Sequence, residues 1–157
     1  MIDVVMIKID SSIKECNSHI EKLTRSKKLL SEFFPLDQNK FKSLNEEQIE
    51  HIDQFIYRFT RLQDSMGKRL LPSLISYIDN DFSPKAFLDI LSRLEQLGII
   101  ENDIDWQFFR NLRNNLAHDY PDNIKIMIET LNLLFEELPR LEKMYSSVKD
   151  YYLNRKK

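Results

Sequence analysis

Glycine is scarce in this chain, with 2 residues in 157. A backbone loop that cradles phosphates needs several glycines close together, so nucleotide chemistry of that kind is excluded. Cysteine is scarcer still: Cys16 stands alone, which rules out an internal disulfide and fits a reducing compartment. Charge of one sign is not in excess. The formal net charge of −2 creates no global field toward nucleic acid or membrane, and any anion site must be local. No apolar run approaches the roughly 20 residues of a membrane span. The opening Met1-Ile2-Asp3-Val4-Val5-Met6 is interrupted by Lys8 and Asp10, too soon for the apolar core of a signal peptide. His19, His51 and His118 are far apart, with no cysteine pairs and no His-x-x-x-His spacing, so no metal site is expected. A Gly-x-Ser-x-Gly elbow is also missing. The expectation is a cytoplasmic domain without membrane, metal or cofactor.

What is present is helical periodicity. Ile2, Met6, Ile9, Ile13, Cys16, Ile20, Leu23, Lys27, Leu30 and Phe34 alternate at spacings of four and three, predicting one long amphipathic helix flawed only at Lys27. That seam fits an intermolecular coiled coil or, more commonly, a helix packed inside its own bundle. Residues 35–42 read as a loop. Ser43 with Glu46, or Asn45 with Gln48, offers a capping box for a second helix over about 46–77. Its buried face is Ile49, Ile52, Phe55, Phe59, Leu62, Met66 and Leu70, and Pro72 is expected to kink or break it. Arg58, Arg61, Ser65, Lys68 and Arg69 form a separate, basic stripe. Ser83 before Pro84 predicts the start of a third helix, and Gly98 its stop. A fourth helix spans about 103–118. A fifth begins near Asp122, with Pro139 expected to bend it. The fold class is all-α, an antiparallel bundle of four to five helices forming one domain over 1–157.

The end of the fourth helix concentrates reactive groups: Arg113-Asn114-Asn115-Leu116-Ala117-His118-Asp119-Tyr120, then Pro121. Pro121 disfavours helical geometry at Tyr120, so the helix should close near His118 or Asp119. On one straight helix Asn114 and His118 share a face, but Arg113 and His118 stand roughly 140° apart. A frayed last turn or a second copy of the helix would be needed to aim both at one atom. An imidazole can exchange a proton near neutral pH. A guanidinium can stabilise the added charge of a pentacovalent phosphoryl transition state. With RNA, the substrate's own 2′-hydroxyl can be the nucleophile. The same residues also fit a plain structural role, a cationic pair at a helix C-terminus beside a core phenol.

This segment resembles the R-x4-H-x-Y signature of HEPN-domain proteins, in particular the HepT-type toxins. The stretch 61–72 is similar to the long second helix of such proteins. The resemblance implies a helical bundle that forms two-fold homodimers, bringing two motif helices together. It implies a metal-independent ribonuclease toxin of a type VII-like toxin–antitoxin pair, acting on RNA, with tRNA among the candidate substrates, and not on DNA. Arg113 would then hold the scissile phosphate, His118 would act as acid or base, and Asn114 would orient one of them. The partner antitoxin would be a minimal nucleotidyltransferase that adenylylates Tyr120. On that reading the basic stripe Arg58, Arg61 and Lys68, with Arg110, would be an RNA-binding track, which is inferred from its charge and not from the family. The alternative is a non-catalytic nucleotide- or substrate-binding subunit of a nucleotidyltransferase.

Overall fold

The computed structural model describes residues 1–117 and 123–157. Among them there is no strand, and no helix is long and apolar enough to cross a membrane. The helices are α1 (Ile2–Leu30), α2 (Gln38–Lys42), α3 (Glu46–Ser65), α4 (Leu71–Asp79), α5 (Phe87–Gln96), α6 (Asp103–Leu116) and α7 (Ile124–Lys156). A single π-helical turn, Met66–Leu70, joins α3 to α4. Five long helical runs are therefore present, as the periodicity predicts, and α2 is an addition.

The seam of α1 lies within the chain's own bundle. Ile9, Cys16, Leu23 and Leu30 are fully buried, and burial pushes the Cys16 thiol up to about 12, so it is packing rather than a nucleophile. Lys27, the flaw in the seam, lies over the Phe135 ring at 5.2 Å, where its charge meets a π face. The pairings fix the topology. Tyr145 donates to the Ile13 carbonyl while Tyr152 donates to Asp10, so α7 runs antiparallel to α1. Glu15 meets Ser65 and His19 meets Arg58, so α3 is antiparallel to α1. Asp105 with Arg140 and Glu101 with Lys143 give α6 and α7 the same relation.

Several boundaries depart from expectation for local reasons. The first helix was expected to reach Phe34 but ends at Leu30, because Pro35 has no N–H for the Ser31 carbonyl. The expected loop 35–42 contains α2, capped where Lys40 N–H donates to Asp37. Asn132 holds the segment before it through both the N–H and the carbonyl of Leu36. Of the two capping boxes, Asn45 with Gln48 forms, at 2.8 and 3.0 Å, while the Ser43 hydroxyl donates to the Lys40 carbonyl. Ile49, expected in the core, is 45% exposed, in the first turn of α3 and off its covered face. Pro72 does not break the second run. The Leu71 N–H reaches back to the Met66 carbonyl, and the widened turn accommodates the proline. Ser83 does not cap the third helix: its N–H and hydroxyl both bond Asp81, and α5 starts at Phe87. Gly98 closes α5 with φ +71°, as predicted, where any side chain would be strained. α7 continues across Pro139.

Candidate functional site

α6 positions the site. Asn102 caps it by accepting from Asp105 N–H, and Trp106, Phe109, Leu112 and Leu116 bury one face. Trp106, Arg110 and Arg113 recur at four and three residues, which sets them along one line of the helix beside Asn114. The helix closes at Leu116, earlier than its sequence suggests, with Ala117 N–H bonding the Arg113 and Asn114 carbonyls. His118 and Tyr120 lie outside the described residues, as does the predicted start of the last helix at Asp122.

Opposite α6 stands the junction of α3 with the π turn. Together with Phe87 from α5 they enclose a cleft of about 380 Å³, lined by Gln63, Asp64, Gly67, Lys68, Phe87, Trp106, Arg110, Arg113 and Asn114. Four of the sequence-predicted site residues, Arg113, Asn114, Lys68 and Arg110, thus share one cavity. Arg113 is half-buried, and its Nη2 lies 3.1 and 3.3 Å from the two Asp64 carboxylate oxygens. Its Nε is buried and has no hydrogen-bond partner among the described residues. Lys68 and Arg110 are exposed and form no ion pair among the described residues. Among the described residues that line it, the cleft therefore presents three cations against the single carboxylate of Asp64, which suits an anionic ligand.

Gly67 permits this arrangement. A Cβ there would stand 2.9 Å from Trp106 Cζ2, so only glycine lets the indole lie against the π turn without a shift. Trp106 in turn meets Phe87 at 5.6 Å between ring centroids. α6 supplies Trp106 of the apolar wall and two of the three cations, Arg110 and Arg113, while Phe87 and Lys68 come from other elements.

Arg58 and Arg61 lie elsewhere, facing α1. Arg58 Nη1 is 3.1 Å from His19 Nδ1, and Arg61 Nη2 is 3.6 Å from Glu15. Glu15 also accepts from Ser65 and from Arg69. The Ser65 hydroxyl and, after it, the Arg69 guanidinium hold the Glu15 carboxyl below its ordinary range. Burial, then the Arg58 charge, lowers His19, so the neutral ring accepts at Nδ1 and turns its Nε2 toward Glu15 at 3.7 Å. The basic stripe is thereby divided between two surfaces.

Gln63, Asp64, Gly67, Phe87 and Trp106 were not singled out as site residues from the sequence. One signal was legible: a glycine inside an otherwise regular helix weakens it by about 1 kcal/mol against alanine and often marks a close approach. No protein-family model matches the chain, and no curated protein or solved structure matches it either.

Proposed function

We propose that the chain is a HepT-like, metal-independent ribonuclease toxin that acts as a homodimer and is neutralised by a nucleotidyltransferase through adenylylation of Tyr120. The observation that carries this reading is the complete Arg113–His118–Tyr120 motif at the end of α6, with Arg113 and Asn114 on a cleft of surplus positive charge. Arg113 binds the scissile phosphate. Asp64 holds one of its nitrogens, which fixes the guanidinium and leaves the Nε–H to an oxygen of the substrate. His118 takes the proton of the 2′-hydroxyl as that oxygen attacks phosphorus, or returns a proton to the departing 5′-oxygen. The products are a 2′,3′-cyclic phosphate and a free 5′-hydroxyl, so atoms and protons balance without an added water. Asn114 orients the imidazole or the phosphate, and the second copy of the motif completes the set. An anionic nucleotide on Tyr120 would close the cleft by bulk and by charge.

A second reading, a nucleotide-binding subunit without catalysis, is favoured by one observation: Arg113 is already paired with Asp64 in the free chain. Cleavage of a tRNA and total-RNA pool in EDTA, beside His118→Ala, decides between them. Cutting by the wild type alone supports the ribonuclease. A folded, unmodified dimer that leaves the pool intact supports the binding subunit.

A further inference from the structure

Five buried side-chain polar atoms make no hydrogen bond among the described residues, and three of them belong to residues of one cleft. They are Arg113 Nε, Gln63 Nε2 and Gln63 Oε1. Gln63 is only 3% exposed, and both ends of its amide are unmet among the described residues. Buried polar groups are ordinarily paired, and an unmet amide destabilises the chain unless something from outside completes it. The three atoms together ask for an acceptor beside an adjacent donor and acceptor. The surrounding charges, Lys68, Arg110 and Arg113 against Asp64, require the first of these to be anionic. The wall facing the cleft is aromatic, formed by Trp106 against Gly67.

A nucleotide unit meets all of these demands. Its phosphate supplies the anionic acceptor. The edge of its base supplies an adjacent donor and acceptor, which a glutamine amide matches with two hydrogen bonds, and adenine offers such a pair on two edges. We infer that Gln63 is the base-reading residue of this cleft, pairing with one nucleobase of single-stranded RNA whose phosphate is held by Arg113, Lys68 and Arg110. The inference rests on the reading of the cleft as an RNA site. In the free chain the Gln63 amide is closed from solvent, so it turns into the cleft to meet the base. Among the described residues no hydrogen bond holds the amide back, and its rotation breaks none.

The test is binding of tetra-adenylate, by fluorescence anisotropy, against the same oligomer with its two central bases removed. The full-length His118→Ala chain is used so that nothing is cut. The base-bearing oligomer should bind about tenfold tighter or more. Gln63→Met should erase most of that difference and leave the affinity for the abasic oligomer unchanged. Since the substitution removes an unmet amide, it should also raise the Tm, by about 3 °C. Gln63→Leu repeats the measurement with a different apolar shape. Equal affinity for the two oligomers in the parent chain, or an undiminished base preference in Gln63→Met, overturns the inference, as does a fall in Tm. Cleavage by the wild type is scored separately. Cleavage with base-blind binding defeats the base reader and leaves the ribonuclease standing, whereas base-selective binding without cleavage does the reverse.

Discussion

The run from α3 into the π turn carries four lysine and arginine side chains, and they meet two different environments. Arg58, Arg61 and Arg69 face α1, where Glu15 and the neutral ring of His19 receive them. Lys68 faces the cleft with Arg110 and Arg113 of α6, where Asp64 is the one carboxylate among the described residues that line the cavity. On a helical wheel the four form a single stripe. The neighbouring helix decides which cations are held inside the bundle and which remain available to a ligand. A basic stripe is therefore no evidence of an anion site until the opposing residues are known.

Paired substitutions test this division most directly. Arg113→Ala should reduce RNA cleavage about 10²- to 10³-fold, the usual loss when a donor to a developing oxyanion is removed. Arg69→Ala should leave turnover per folded molecule within a few-fold of wild type, although it removes an ion pair. Single-turnover cleavage of both variants in EDTA measures the contrast, and equal losses would abolish the distinction between the two surfaces.

A smaller effect concerns affinity. Removing Lys68 and Arg110 together should flatten the dependence of log K on log salt by about 1.4 if each meets one phosphate of a single strand. Removing Arg58 and Arg61 together should change that slope far less. A salt titration of RNA binding with both double variants would show which half of the stripe touches the backbone.

The smallest expected effect is on stability, and it belongs to the α1–α3 side. Glu15→Gln leaves two guanidinium groups, those of Arg61 and Arg69, without their carboxylate and should cost about 1–2 kcal/mol, moderated by solvent screening because Glu15 is only partly buried. The pH dependence has a definite sign. Both Glu15 and His19 titrate lower in the folded chain than when unfolded, so the unfolded chain binds more protons as acidity rises. The contribution of His19 is complete above its ordinary value of 6.5 and declines as the pH falls below it. The contribution of Glu15 is complete above its ordinary value of 4.5 and declines through the acid range below. Melting temperatures between pH 8 and pH 3 should fall on the acid side. His19→Phe should flatten the upper part of that fall, and Glu15→Gln the lower part.

Much of the scaffold was legible before any coordinates. The spacing of Ile9, Cys16, Leu23 and Leu30 marks a buried face, Gly98 marks a stop, and the motif on 113–120 marks where reactive groups gather. The errors arose where a local signal had a competing partner. Ser83 is a good capping residue, but Asp81 two positions earlier takes its hydroxyl. Pro72 should have ended a helix, but a widened turn absorbed the missing N–H. In the candidate site, Arg113 and Asn114 could be named from the chain alone. Asp64, Gln63 and Trp106 could not, since a carboxylate, an amide and an indole at those positions look like ordinary members of amphipathic helices.

Helix formation rests on interactions within four residues, so the order and faces of the long helices follow from the sequence by itself. The same holds for the closeness of Arg113, His118 and Tyr120 along the chain. Which residues meet across long stretches of chain is another matter. The contact of Arg113 with Asp64, the hold of Glu15 on Arg69 and the seat of Trp106 on Gly67 each depend on how whole helices pack. Packing depends on the combined shape of many side chains, and only the tertiary structure decided it.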